Sequence, residues 1–260
     1  MKRFFKIYFV SMSNNIKSRL SYRVDFVLSM ILMVFGETLL PLFTLLIYQT
    51  GASFANWNFY EAMLIQSVFM LSTGVSYALF FNIIFITMGS VREGSFDIIL
   101  LKPISPIVSG VATAFDIDNV GAILGGLAFF IYSVVHLPAI GLMQWLQFIA
   151  LFVMGVSVIL SFSLFMAGIL FKWVGNSRIH EMFTSIGTFG RYPISIFPKV
   201  VMIGIGFFIP IAMIGFFPAS ALLGKIGIEA LISSGVCVVF LVLAVMFWNR
   251  MIYSYSSAGG

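Results

Sequence analysis

The sequence predicts an all-α integral membrane protein with six transmembrane helices, and three observations support this fold class. Of the 260 residues, 61% are hydrophobic and only 9% are charged, whereas a soluble domain has about a quarter charged residues. The apolar residues fall in runs that approach the roughly 20 residues a helix needs to cross a bilayer. The basic residues lie between these runs and sort almost entirely to one side. We therefore expect no sizeable soluble domain.

Six apolar runs are predicted to be helices, because lipid offers the backbone no hydrogen-bond partner outside the segment. The alternating pattern of a membrane barrel strand is absent from them. Before the fifth run, the stretch 178–199 could be an interfacial helix or part of a longer, broken fifth span. The runs form a transmembrane domain over 26–248 and cover 26–48, 63–88, 120–135, 145–171, 200–217 and 231–248.

The first 25 residues begin with MKRFFKIYFV, which mixes three cations with aromatic and aliphatic residues. We predict an amphipathic helix over 1–25 that lies in the cytoplasmic interface, with its rings at the acyl boundary and its cations at the headgroups. A secretory signal peptide and an unstructured basic tail are the alternatives. The polar residues SMSNN interrupt the apolar stretch, which disfavours the signal peptide.

The charges predict the orientation of the spans. With the N-terminus in the cytoplasm, every one of the 14 basic residues except Lys225 falls on the cytoplasmic side. That count includes Arg191 and Lys199, which precede the fifth run. An even number of spans then returns the chain to the cytoplasm, so residues 249–260 are predicted to be a cytoplasmic tail.

The sequence lacks the residue patterns of an enzyme. A phosphate-cradling G-x-x-x-x-G-K-[ST] loop is absent, and the glycine-rich GAILGG has no lysine. Its Gly121 and Gly125 fit a close contact between helices. His136 and His180 fall on opposite sides of the membrane, and Cys237 is the single cysteine, so we predict no metal site. The net charge of +5 reflects membrane orientation and does not indicate nucleic-acid binding.

Glu37 is the one ionisable residue predicted inside the membrane, midway along the first span. A charge at that depth is costly and marks a candidate site, either in a transport pathway or in helix packing. A secondary transporter usually has several such carboxylates. Asp116 and Asp118 precede the third span, where carboxylates cap free N–H groups and match the helix dipole.

The densest charge cluster in the middle of the chain lies in VREGSFDIILLKPIS, residues 91–105, between the second and third spans. We predict a short helix from Arg92 to Leu101, which Pro103 ends. An apolar face beside charges of both signs is typical of a docking element for another protein. The apolar residues are Phe96, Ile99 and Leu100, and the charged ones are Arg92, Glu93, Asp97 and Lys102.

This stretch resembles a cytoplasmic-loop motif of ABC-2-type ABC transporter permeases, R-x-G-x-x-D-x-x-L-x-K/R-P. Residues 192–224 resemble a late section of the same permeases, in which a Y-P-x-x-x-F-P block precedes an apolar span and a P-A pair follows it. The matching residues are Arg92, Gly94, Asp97, Leu100, Lys102 and Pro103 in the first stretch, and Tyr192, Pro193, Phe197, Pro198, Pro210, Pro218 and Ala219 in the second.

The resemblance implies the membrane-spanning subunit of an ABC exporter in a bacterial inner membrane. The loop 89–106 would then hold a coupling helix that docks on a separate ATPase subunit. ATP and Mg²⁺ would bind that partner, so this chain would carry no cofactor and would not be an enzyme. The resemblance also implies a second permease, with a heterodimer favoured over a homodimer, and a short outer re-entrant segment over 218–230.

The cargo is expected to be hydrophobic or amphipathic, because the chain holds 30 phenylalanines and 15 methionines. Two other classes of protein stay open at this point. One is a secondary transporter or channel that works without ATP. The other is a membrane scaffold that does not transport.

Overall fold

The computed structural model describes residues 2–173 and 177–256, and every regular element within them is helical. Single turns of 3-10 or π-helix link several of the α-helices. In chain order the α-helices are α1 (Lys2–Ser21), α2 (Arg23–Gln49), α3 (Phe59–Ser76), α4 (Ile83–Arg92), α5 (Phe96–Leu100), α6 (Pro106–Thr113), α7 (Val120–Val135), α8 (Leu142–Ile169), α9 (Ser177–Gly187), α10 (Lys199–Ile203), α11 (Phe216–Leu222) and α12 (Ile228–Ile252).

Five helical runs in the described residues are long and apolar enough to cross a membrane, and they correspond to the first four predicted spans and the sixth. The second of them joins α3 and α4 through a π-helical turn, Tyr77–Phe81, into one run of 34 residues. The five runs are Arg23–Gln49, Phe59–Arg92, Ile117–Val135, Leu142–Ile169 and Ile228–Ile252.

Side-chain contacts define two ends of the helix bundle. At one end the ring of Phe171, just after α8, packs on Phe96 of α5 and on Trp248 of α12, with centroid distances of 4.8 and 5.1 Å. We call this the basic end. At the other end, which we call the Trp57 end, Lys225 lies 2.7 Å from Glu61 and over the ring of Trp57. Helices α3–α4, α8 and α12 each run from one end to the other.

The fifth predicted span does not form one helix. Residues 199–222 break into α10, a π-helical turn (Gly204–Phe208), a 3-10 turn (Ile211–Met213) and α11. Pro210 has no N–H to donate to a preceding carbonyl, so a regular helix cannot continue through it. The glycines of the π-helical turn weaken the helix further.

The chain instead crosses the bundle through residues 177–197. Phe183 of α9 packs on Phe162 in the last third of α8, near the basic end. Arg191 then lies over Phe69 of α3, and Ser195 accepts a hydrogen bond from the Trp57 indole N–H at 3.1 Å. The stretch that the sequence left open therefore runs from near the basic end to the Trp57 end as a broken helix.

The chain then turns back within the bundle, along a path that begins earlier than the predicted re-entrant segment 218–230. Residues 199–222 run from the Trp57 end to mid-height and back. The carbonyl of Met213 lies against Gly155, midway along α8. Phe216 returns to Trp57, with ring centroids 5.6 Å apart.

Glycines allow several close approaches between backbones. A Cβ on Gly155 would collide with the carbonyl oxygen of Met213, and one on Gly121 would lie 2.7 Å from the carbonyl oxygen of Met30 in α2. The predicted helix contact at Gly121 is thus confirmed. At Gly125 the nearest neighbour of an added Cβ would be 3.6 Å away, which is ordinary packing.

The N-terminal helix α1 packs on the basic end. Its Tyr8 hydroxyl donates to the carbonyl of Leu79 at 3.3 Å, and its Arg19 pairs with Asp118 at 2.5 Å. Helix α6, which α1 contacts, was not predicted. Its start has a recognisable signal, because Ser105 is the N-cap and Pro106 follows at the first helical position.

Candidate functional site

The 91–105 stretch does not form the continuous helix that the sequence predicts. Gly94 has a left-handed backbone with φ of 70°, which ends α4 and separates it from α5. The N–H of Glu93 still donates to Gly89 at 2.9 Å, so Glu93 belongs to the end of α4. Glu93 and Asp97 therefore do not share a helix face.

Phe96 points into the protein. Its side chain is 2% exposed, and its ring contacts Phe171 at 4.8 Å and Tyr255 at 5.2 Å. Ile99 is also partly buried against the core. The predicted role of Phe96 as a contact that fills a partner's groove does not fit this burial.

A different set of apolar side chains of the loop is exposed. Leu101 is 84% exposed, Ile98 is 62% exposed, and Leu100 is exposed to a smaller extent. Arg92, Glu93 and Lys102 are exposed around them, while Asp97 is half-buried. We call this surface the loop face; it consists of Ile98, Leu100 and Leu101 with Arg92, Glu93 and Lys102.

Four rings, which we call the aromatic cluster, fix the loop to the ends of α8 and α12: Phe96, Phe171, Trp248 and Tyr255. The Tyr255 hydroxyl also donates to the carbonyl of Gly94 at 3.5 Å. Tyr255 falls within the predicted cytoplasmic tail, 249–260. The sequence feature that could have identified Tyr255 is an aromatic residue shortly after a membrane helix, a feature that Phe171 shares.

Glu37 is not alone, contrary to the sequence prediction. The Nη2 of Arg191 lies 3.8 Å from its Oε2, and the same guanidinium stacks over Phe69 at 4.9 Å from the ring centroid. Glu37 is midway along α2, so Arg191 sits at mid-height and not at the basic end. The two charges compensate each other where a single charge would be costly.

The pair borders a cavity of about 190 Å³ between α2, α3, α7, α8 and α9. The π-helical turn contributes Tyr77 and Phe81, whose rings stack at 4.0 Å. Hydroxyl, amide and charged groups alternate with rings around the wall. The wall includes Met33, Glu37, Phe69, Thr73, Tyr77, Phe81, Asn119, Phe162, Phe183, Thr184, Gly187, Thr188 and Arg191.

The remaining candidate residues have structural environments. Asp116 accepts a hydrogen bond from the N–H of Asp118 at 3.0 Å, which agrees with the predicted capping role. His136 stacks on Tyr60 at 4.5 Å. The side chain of His180 lies outside the described residues. Among the side chains that the structure does describe, no group of three His, Cys, Asp or Glu residues could hold a metal ion.

These features define a multi-pass helical membrane protein with a structured loop at one end and a charge pair at mid-height. A family comparison matches residues 19–259 to the ABC-2 family transporter proteins, and the chain belongs to that family. Members are components of membrane transport systems and are not themselves catalytic. Comparison with curated proteins and with solved structures gives no match.

Proposed function

We propose that this chain is the permease subunit of an ATP-driven exporter, forms half of the translocation pathway and is driven by a separate ATPase subunit. The observation that carries the proposal is the loop face, where exposed apolar side chains lie between charges of both signs. A cluster of that kind on a soluble surface is typical of a contact with another protein.

The orientation follows from the charges at the two ends. Arg191 at mid-height and Lys199 and Lys225 towards the Trp57 end are the exceptions among the 14 basic residues. The asymmetry still favours a cytoplasmic basic end, with both termini and α1 on that side of a bacterial inner membrane. In this arrangement the amphipathic α1 lies in the cytoplasmic interface, and the chain makes six crossings.

Docking of the ATPase uses Ile98 and Leu101 as apolar anchors, with Arg92, Glu93 and Lys102 setting register. Central anchors of such contacts contribute about 2 kcal/mol or more each. Phe96 does not dock on the partner; it links the loop to the rings that follow α8 and α12. Movement of the loop on ATP binding is then passed to both helices through the aromatic cluster. ATP and Mg²⁺ stay on the partner.

A second permease completes the pathway, as a related but different chain. Helix α2 leaves space for one, because only Pro41 and Thr44 of its 27 residues are buried. Its exposed face is a continuous apolar surface that contacts lipid or another helix bundle. The cargo is a hydrophobic or amphipathic molecule, and the direction is export.

The test is co-purification from the native membrane in mild detergent, with a tag on the chain. We expect a soluble subunit with a phosphate-binding loop to co-purify with the wild-type chain. The variant Ile98→Asp/Leu101→Asp should lose it. A matched control is Leu142→Asp, because Leu142 is 78% exposed at the start of α8, away from the loop.

Two results would contradict the proposal. One is the absence of any ATPase under conditions that preserve other ATP-driven transporters, which would favour a secondary transporter or a scaffold. The other is an ATPase that co-purifies equally with the loop variant and the control. A scaffold would also bind partners, but no substrate would stimulate ATP hydrolysis by its complex.

A further inference from the structure

The mid-height cavity has unused hydrogen-bonding capacity. The 3.8 Å between Arg191 Nη2 and Glu37 Oε2 exceeds a hydrogen-bond distance. The Nε of Arg191 is buried and has no partner among the described residues. Buried donors without acceptors are costly, so a bound group that accepts from this nitrogen is favoured.

One face of the segment 177–197 lines the cavity. Its residues recur every three or four positions, which is the spacing of a single helix face. At Gly187 an added Cβ would meet nothing within 4 Å, so the space beside this face is open. The face consists of Phe183, Thr184, Gly187, Thr188 and Arg191.

The charges and the size of the cavity restrict the ligand. Glu37 and Arg191 together carry no net charge, so a ligand with a net charge would add an uncompensated charge at mid-height. A group with both signs would place its anion near Arg191 and its cation near Glu37. A volume of about 190 Å³ exceeds that of an engineered cavity of ~150 Å³ that binds benzene. The volume suits a small polar headgroup, while rings such as Phe162 and Phe183 suit the apolar carbons next to it.

We infer that this cavity binds the zwitterionic headgroup of an amphipathic molecule, with the anionic part at Arg191 and the cationic part at Glu37. The site lies within a single chain and does not require the ATPase. Cargo in transit and a resident membrane lipid share this chemistry, and both are sources of the ligand.

The first experiment measures binding without ATP. The purified full-length chain, with its retained partners and depleted of lipid, is titrated with lysophosphatidylethanolamine or with lysophosphatidylglycerol of the same acyl chain. Native mass spectrometry counts bound molecules. We expect at least a tenfold preference for the zwitterionic lipid. Equal affinity for the two lipids would overturn the inference.

Two kinds of variant locate the site. Gly187→Leu fills the cavity without a backbone clash and should weaken binding of the zwitterionic lipid at least tenfold, while the unfolding temperature is kept. Glu37→Gln leaves a positive cavity and should shift the preference towards the anionic lipid, whereas Glu229→Gln on the exposed start of α12 should not. Unchanged binding in Gly187→Leu would overturn the inference even if Glu37→Gln does not fold.

A further arm separates the two sources of the ligand. The complex with its ATPase is loaded with the zwitterionic lipid and then given ATP and Mg²⁺. Release during turnover identifies the lipid as cargo, and retention identifies it as resident. Both results support the binding site. Because binding is measured first without ATP, the test of the site does not depend on whether an ATPase is coupled to this chain.

Discussion

The ring of Tyr255, three residues beyond α12, packs edge-on against Phe96 in the loop after α4, with centroids 5.2 Å apart. The two residues are far apart in the sequence, yet both rings contact Phe171 at the end of α8. The C-terminal segment is thereby part of the structure that holds the loop in place.

Replacing Tyr255 with alanine should uncouple transport from ATP hydrolysis on the proposed mechanism. An aromatic pair contributes about 0.5–1.5 kcal/mol, so the loop would loosen without unfolding of the bundle. The ATPase should still co-purify, while cargo moved per ATP hydrolysed falls. Tyr255→Phe keeps the ring and should behave like the wild type, because the hydroxyl contact to Gly94 is long at 3.5 Å. If Tyr255→Ala moved as much cargo per ATP hydrolysed as the wild type, Tyr255 would have no role in coupling.

Alanine substitutions at two glycines should change the free energy of unfolding in opposite directions. Gly155→Ala puts a methyl group against the carbonyl oxygen of Met213, and overpacking of this kind costs about 1–3 kcal/mol. Gly36→Ala in α2 meets nothing within 4 Å and should gain up to about 1 kcal/mol from helix propensity. The unfolding temperatures of the two variants in detergent measure both changes in stability. A stable Gly155→Ala would mean that the re-entrant path does not press on α8.

At the Trp57 end, the side chain of Glu61 contributes both to the N-terminal cap of α3 and to an ion pair, and two substitutions separate these contributions. Glu61 accepts from the N–H of Asn58 at 3.1 Å and pairs with Lys225 at 2.7 Å. Glu61→Gln keeps an acceptor for the cap and loses the pair, so we expect a loss below about 1 kcal/mol. Glu61→Ala loses both and should cost roughly 1 kcal/mol more. Equal unfolding temperatures for the two variants would argue against the cap.

Lys199 distinguishes the observed path from the sequence-based orientation. It follows Ser195, which contacts Trp57. In a Cys237→Ser background, Lys199→Cys should therefore react with a membrane-impermeant maleimide added outside intact cells. Lys102→Cys should react only after the cells are opened. Labelling of Lys199→Cys only in opened cells would restore the sequence-based orientation at this residue.

The sequence predicts the five helical runs that are long and apolar enough to span a membrane, because each is a continuous apolar run and composition alone identifies such runs. The path through residues 177–197 could not be found in this way. Arg191, Thr184 and Thr188 make the segment too polar, and the carboxylate that compensates Arg191 lies far away in the sequence, on α2. Charge sorting placed Arg191 and Lys199 on the cytoplasmic side, whereas the structure places Arg191 beside Glu37, midway along α2, and Lys199 four residues after Ser195, which contacts Trp57.

The 91–105 stretch was recognised from its motif, but the directions of its side chains were not. The positive φ at Gly94 turns α5 away from the line of α4, and this rotates Phe96 inwards and Ile98 outwards. The rings that Phe96 contacts, Phe171 and Tyr255, lie beside it only because of tertiary packing. Helix α6 was within reach of sequence reasoning, because Ser105 and Pro106 form a recognisable helix start.

The pairing of Arg191 with Glu37 has a consequence for biosynthesis. An arginine at the centre of a segment costs about 2.5–3.5 kcal/mol during insertion by the translocon, so the crossing through 177–197 is a poor candidate to enter the membrane unaided. Its compensating carboxylate is already there, because α2 is made first as the ribosome moves along the message. Until the turn after α9 is inserted, Glu37 lacks Arg191 as its partner. From the order of synthesis we therefore expect α2 to be in the bilayer before residues 177–197, so that Glu37 favours the insertion of Arg191.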